Sequence, residues 1–231
     1  AQHSYATGSQ CANSVPLVMG LVDPANRAAV LDAVVRDVRA HGNAITAGDV
    51  GYRYLLRALA DGGRSDVIFE MNDQTNKPGY GYQLAKGATS LTEAWNARSG
   101  SSQDHFMLGQ IQEWFYHDLA GIGCDPAGPG FKKIVIRPQP VGNLKWVRVS
   151  YESIRGQIVS DWKRDEGKFK LAVTIPPNTT ATVFVPAKAA DVVTESGKPA
   201  GQSPHVKFLR MQGDCAVFAI ESGEYKFEST L

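Results

Sequence analysis

The sequence predicts a multidomain α and β chain, with helices first and an antiparallel β-sandwich after them. Two observations carry this. Up to about Gly123 the apolar residues recur at helical spacing, and beyond that point they alternate. Between the two regimes lies Cys124-Asp-Pro-Ala-Gly-Pro-Gly130, which reads as a linker (124–130) between domains at 1–123 and 131–231.

The helical elements follow in order. Gln10 to Leu21 reads as a helix. Asp23-Pro24 is a start signal, a capping residue followed by Pro in the first turn, and His41-Gly42 a stop. Leu31, Val34, Val35 and Val38 between them keep 3,4 spacing. Asp49 opens the next helix, carrying Tyr52, Leu55, Leu56 and Leu59, and Gly62-Gly63 closes it. Glu70 and Asp73 read as a helix end. A further helix is expected from Asp104, with Met107, Leu108, Ile111, Trp114, Phe115 and Leu119 on one broad face.

In the second half, Phe169, Leu171, Val173 and Ile175 alternate with Lys168, Lys170, Ala172 and Thr174, the pattern of a strand with one wet face. Similar strands are expected near 131–137, 146–154, 157–163, 180–185, 206–211, 216–221 and 224–228, with turns at Asp165-Glu-Gly167 and Ser222-Gly223. Many short strands separated by turns are the mark of a sandwich. Trp146 and Trp162 fall on such strands, where core packing is the expectation.

Composition narrows the function. The formal charge of +1 across 231 residues gives no electrostatic reason to expect nucleic acid or an anionic membrane as partner. No apolar run approaches bilayer length, and no Gly-rich phosphate loop follows a strand. Cys11, Cys124 and Cys215 have no close pairing, so neither a zinc site nor a disulfide framework is expected. No His/Asp/Glu cluster has ligand spacing, and neither metal nor cofactor is called for. The first ten residues lack a signal-peptide pattern, and the chain opens without Met into helical sequence. This start is read as a cut.

Chemistry concentrates between Asn76 and His105. Here Gly79-Tyr80-Gly81-Tyr82, Gly87-Ala-Thr-Ser-Leu-Thr-Glu93-Ala-Trp95 and Gln103-Asp104-His105 lie between helices. Tyr80, Tyr82 and Trp95 offer flat faces for a sugar ring. The glycines at 79, 81 and 87 would let the backbone approach a ligand. Glu93 is a candidate base to activate water, and His105 a partner for sugar hydroxyls or for Glu93. Each has a plainer alternative: a solvated Glu, a structural His beside Asp104 at a helix start, a packed Tyr-Gly-Tyr turn.

The run from Gly87 to Trp95, the preceding Gly-Tyr-Gly-Tyr, the following Gln-Asp-His and Gly109-Gln-Ile-Gln-Glu-Trp-Phe-Tyr116 together resemble the late catalytic domain of the bacterial α-L-rhamnosidases. So do the opening Thr7-Gly-Ser-Gln-Cys-Ala12 and, in the second half, Phe131-Lys-Lys-Ile-Val-Ile-Arg-Pro138, Gly156-Gln-Ile-Val-Ser-Asp-Trp162 and Ile175-Pro-Pro-Asn178. The resemblance covers nearly the whole chain, with its motifs in order. It implies the C-terminal portion of an inverting glycoside hydrolase: a partial (α/α)6 helical toroid, then a β-sandwich. It also implies that Glu93 is the general base, that His105 contacts rhamnose, and that Tyr80, Tyr82 and Trp95 belong to the sugar pocket. Where many members carry Trp-Glu-Arg-Trp, this chain has Thr92-Glu93-Ala94-Trp95, and its segment from Glu93 to His105 is shorter.

Inverting hydrolysis requires two carboxyl groups roughly 6.5–9.5 Å apart. In the resembling family the acid belongs to an earlier acidic motif that nothing in this sequence matches. The implied partners are therefore the N-terminal remainder of the same polypeptide and a rhamnose-containing glycan or glycoside, and the chain alone is expected to be inactive. Two other classes stay open at this level: a polysaccharide lyase acting on rhamnose–uronate linkages, and a non-catalytic carbohydrate-binding fragment.

Overall fold

In the computed structural model, which describes residues 3–231, the chain divides between Trp114 and Phe115 into two units. The first is helical. Helix α1 (Gln10–Val18) starts where the Ser9 hydroxyl accepts from the Ala12 N–H at 3.3 Å. Two buried amides tie this helix down. Gln10, with no exposed surface, donates to the Ala44 carbonyl and accepts from the Thr46 N–H, both at 2.9 Å. Asn13 accepts from the Tyr5 N–H and donates to the Gly8 carbonyl.

Helix α2 (Arg27–Ala40) follows a 3-10 turn, Pro24–Asn26, capped by Asp23, and ends at His41. It buries Val30, Val34 and Val38. Helix α3 (Asp49–Asp61) buries Tyr52, Leu55, Leu56 and Leu59 along one stripe, and each fully buried aliphatic side chain contributes about 1.5–3 kcal/mol. Helix α4 (Ser65–Asn72) adds Val67, Ile68 and Met71. A short helix α5 spans Tyr80–Ala85.

The long helix expected from Asp104 does not form. A 3-10 turn (Phe106–Gln110) leads into one α turn, α6 (Ile111–Trp114), and the second unit then opens on a π turn, Phe115–Leu119. His105 explains the late start. Its N–H donates to the Leu91 carbonyl at 2.8 Å, and its backbone, at φ −123° and ψ 79°, is extended. The supposed broad apolar face is also incomplete: Leu108, Ile111, Trp114 and Leu119 are buried, whereas Met107 and Phe115 are exposed.

The second unit contains two sheets. One has strand order β1 (Ile122–Cys124), β2 (Lys133–Ile136), β6 (Thr180–Pro186), β10 (Cys215–Ile220), β9 (Val206–Gln212). The other runs β3 (Trp146–Ser153), β4 (Gly156–Asp165), β5 (Lys168–Ile175), β11 (Gly223–Thr230), β7 (Thr194–Glu195), β8 (Lys198–Pro199). The alternation read in the sequence is realised in β5, where Phe169, Leu171, Val173 and Ile175 are buried. Trp162, Phe169, Phe218 and Phe227 are among the largest fully buried side chains. The Trp162 indole N–H donates to the Leu119 carbonyl at 2.8 Å, and the Ser160 hydroxyl to that of Ala120 at 2.7 Å, so these buried donors are satisfied.

Three sequence expectations change. The sandwich is not wholly antiparallel: β2 pairs with β6 in parallel, Ile134 opposite Ala181, because the chain crosses to the other sheet for β3–β5 before returning. The segment 124–130 joins two strands of one sheet, β1 and β2, which are antiparallel with Cys124 opposite Ile134. Its tightness depends on Gly128, where a Cβ would meet the Lys133 side chain at 2.6 Å. Finally, Trp162 is core but Trp146 is 64% exposed, since the two indoles leave their strands on opposite faces of the same sheet.

Candidate functional site

The stretch from Lys86 to His105 is a loop folded back on itself. Two backbone bonds and one side-chain bond hold it: the Glu93 N–H donates to the Ser102 carbonyl at 2.9 Å, the His105 N–H to the Leu91 carbonyl, and the Ser90 hydroxyl to the Gln103 carbonyl. Below it Gln83, 2% exposed, donates from its amide to the Thr92 carbonyl at 3.2 Å, and the buried Thr92 hydroxyl donates to that of Ala94. Glu93 therefore projects from a backbone anchored on both sides.

The Glu93 side chain is exposed. Its Oε2 accepts from the Ser102 N–H at 3.0 Å, which fixes the carboxylate's direction. Oε1 has no partner among the described residues, so it keeps the lone pairs that proton abstraction requires. His105 returns on the opposing arm, and its Nε2 lies 3.3 Å from Oδ2 of Asp49, the first residue of α3. The Gln110 amide donates to the Asp49 carbonyl and pins the same corner. A carboxylate so placed fixes the ring's orientation.

Tyr80 and Trp95 lie behind the loop rather than on it. The Trp95 indole, 8% exposed, donates from Nε1 to the Ala47 carbonyl at 2.7 Å. With Tyr52 and Tyr80 it forms a cluster of edge-to-face rings, with centroids 4.9 Å (Tyr52–Trp95), 5.0 Å (Tyr80–Trp95) and 6.0 Å (Tyr52–Tyr80) apart. The Tyr80 hydroxyl donates to the Leu108 carbonyl. Burial pushes the Tyr80 and Tyr52 phenols above their ordinary range, so both stay neutral. Tyr82 sits under the Lys86 ammonium, 5.2 Å from its ring centroid. The fold thus brings Glu93 and His105 to one loop and gives Tyr80 and Trp95 a packing environment.

The glycines serve the chain itself. A side chain at Gly81 would run into the Gln74 carbonyl, and one at Gly79 would touch Met71 and Ile45. Gly87 has φ +84° with open space around it, so it is needed for its backbone conformation. Asp49 and Tyr52 were not among the sequence candidates. Their signal was the i, i+3 spacing that puts both on one side of the first turn of α3. Among the described residues no group of His, Cys, Asp and Glu could hold a metal ion, and all three cysteines are free thiols.

Comparison with known proteins gives the chain's family. Residues 1–119 match the bacterial alpha-L-rhamnosidase 6 hairpin glycosidase domain, and residues 121–200 the bacterial alpha-L-rhamnosidase C-terminal domain. An alpha-L-rhamnosidase from Streptomyces avermitilis is 33% identical over 95% of this chain, and one from Formosa agariphila is 23% identical over 96%. The chain spans 21% and 25% of the length of these two relatives. The crystal structure of the Streptomyces avermitilis alpha-L-rhamnosidase complexed with L-rhamnose superposes with a TM-score of 0.88 at 31% identity, over 98% of this chain and 22% of that one. The alpha-L-rhamnosidase structure from Dictyoglumus thermophilum gives 0.87 at 27% identity, over 99% of this chain and 27% of that one. With a helical unit matched along its whole length and a sheet unit matched in the same order, the chain belongs to the bacterial alpha-L-rhamnosidase family, of which it represents the C-terminal portion.

Proposed function

We propose that the protein to which this chain belongs removes terminal α-L-rhamnose from glycans or glycosides by inversion, with Glu93 as the general base. The observation that carries this reading is the Glu93 carboxylate: open to solvent, aimed by the Ser102 N–H, and on the same doubled-back loop as His105. In this reading the helical unit is the closing part of an (α/α)6 toroid, and the sandwich is a separate domain after it.

Chemically, the free oxygen of Glu93 takes a proton from a water lying under the anomeric carbon. The water oxygen bonds to that carbon as the glycosidic bond breaks. A carboxylic acid across the ring, supplied by a part of the longer protein outside these residues, protonates the departing oxygen. His105, oriented by Asp49, donates to a rhamnose hydroxyl, and Tyr82 borders the sugar. Tyr80 and Trp95 act from behind, as the wall that stiffens the loop.

In the complete protein, Glu93→Gln keeps the shape and the hydrogen bond from Ser102 but not the basicity. We expect kcat on an aryl α-L-rhamnoside to fall by about 10²–10⁴-fold, with rhamnose affinity nearly unchanged by calorimetry. The wild-type protein should release β-L-rhamnose first, as followed by proton NMR. A near-normal kcat in the variant, initial α-anomer, or an unsaturated ultraviolet-absorbing product would overturn the reading.

A further inference from the structure

The outer face of the six-stranded sheet carries a cavity of about 400 Å³, within the roughly 300–1,000 Å³ typical of small-ligand sites. The strand register explains it. Ala172 on β5 lies opposite Asp161 on one side and Lys226 on the other, while the next rung holds Lys163, Lys170 and Glu228 in line. A small residue ringed by five long or charged ones leaves a pit.

Its chemistry is unbalanced. Glu228 is shared by Lys168 and Lys170, at 3.4 Å each, and Asp161 is paired with Arg148 at 2.8 Å. The Lys163 and Lys226 ammonium groups form no ion pair among the described residues, yet both line the pit. Oδ1 of Asp161 is buried without a hydrogen-bond partner, an acceptor in need of a donor. Trp146, 64% exposed, sits directly opposite Lys163 on the neighbouring strand and hence on the same face. Two unpaired cations, an orphan acceptor and an open indole together suit a ligand with a carboxylate, hydroxyls and a flat apolar ring face.

We propose that this face binds a uronate-bearing oligosaccharide. The uronate carboxylate lies between Lys163 and Lys226, a ring hydroxyl donates to Asp161, and the adjoining sugar stacks on Trp146. The site holds a chain by its acidic residues and is independent of Glu93.

The test is calorimetric titration of the complete protein with trigalacturonate, and with its methyl ester as a neutral counterpart. Trigalacturonate should bind saturably, more weakly as salt rises, and at least tenfold more tightly than the ester. The double variant Lys163→Gln/Lys226→Gln should lose at least tenfold in affinity and Trp146→Ala at least fivefold. Lys207→Gln on β9, in the other sheet, should bind as the parent does. Ala172→Leu fills the pit without touching a charge and should abolish binding, which guards against a double variant that folds poorly. No saturable binding, equal affinity for the ester, insensitivity to the Lys163, Lys226 and Trp146 changes, or sedimentation showing that this face instead pairs two copies of the chain would each overturn the proposal.

Discussion

At the scale of single residues, the pairing of His105 with Asp49 is the contact most open to test. Both groups are partly exposed, so the pair itself adds little stability, about 0–1 kcal/mol. Its value is orientation. In the complete protein, Asp49→Asn should leave the unfolding midpoint almost unchanged but raise KM for an aryl rhamnoside by about 10–100-fold, with a smaller change in kcat. A matching loss of stability would reduce Asp49 to a helix cap. Glu195 in the sandwich makes a different point. Burial pushes its carboxyl up, but hydrogen bonds from Ser196 and Ser203, the Lys226 backbone N–H and the charge of Lys198 outweigh that and hold it below the usual range. A carboxyl depressed in the folded state stabilises above its unfolded pKa, and the benefit fades as pH falls through the folded value. Glu195→Gln should therefore lower stability at neutral pH, and the gap from the parent in urea titrations should close as pH falls through the carboxylate range. Glu93 and His105 stand out as candidates in the sequence because they belong to a linear motif. Asp49 was not, because an acidic residue at the start of a helix is already explained by capping, and its second contact spans 56 positions of sequence.

Among the elements, α5 shows how a short helix supports a loop it does not contain. Gly81 sits against the Gln74 carbonyl, which lets Tyr80 reach the aromatic cluster and Gln83 reach Thr92. Gly81→Ala must displace one of the two backbones. We expect a drop of several degrees in Tm, as for other overpacked sites costing about 1–3 kcal/mol, together with reduced kcat in the complete protein. Retention of both would show that α5 does not hold the loop. Helices α1 to α3 and most strands could be read from periodicity and caps. The last helical segment could not. Its apolar spacing fits a helix, but the backbone of His105 is already committed to Leu91, and a tertiary hydrogen bond of that kind leaves no trace in local sequence. The two-residue strands β7 and β8 were equally invisible, being too short to show a period.

For the whole molecule, the relevant fact is proportion. The chain spans 21% of the Streptomyces avermitilis relative and contains a candidate base, while inverting hydrolysis also needs an acid facing it. The 231-residue chain by itself should show no turnover of an aryl α-L-rhamnoside above the uncatalysed rate, and measurable hydrolysis would mean that both carboxyls lie within it. The apolar periodicity switches from helical to alternating near the point where strands begin at Ile122, yet the Pro/Gly run beside it is a hairpin connection inside a sheet. Punctuation of that kind reports a turn and says nothing of whether the flanking strands belong together.

Strands β10 and β11 are consecutive in the chain, yet each is interior to a different sheet: β10 lies between β6 and β9, and β11 between β5 and β7. During synthesis, neither sheet can close until these closing residues have left the ribosome. The sandwich is thus obliged to wait with a gap in each sheet, β6 and β9 facing one and β5 and β7 the other, and then to fill both. That makes this strand pair a clasp, and a stop codon anywhere before it would leave two half-built sheets exposed to aggregation.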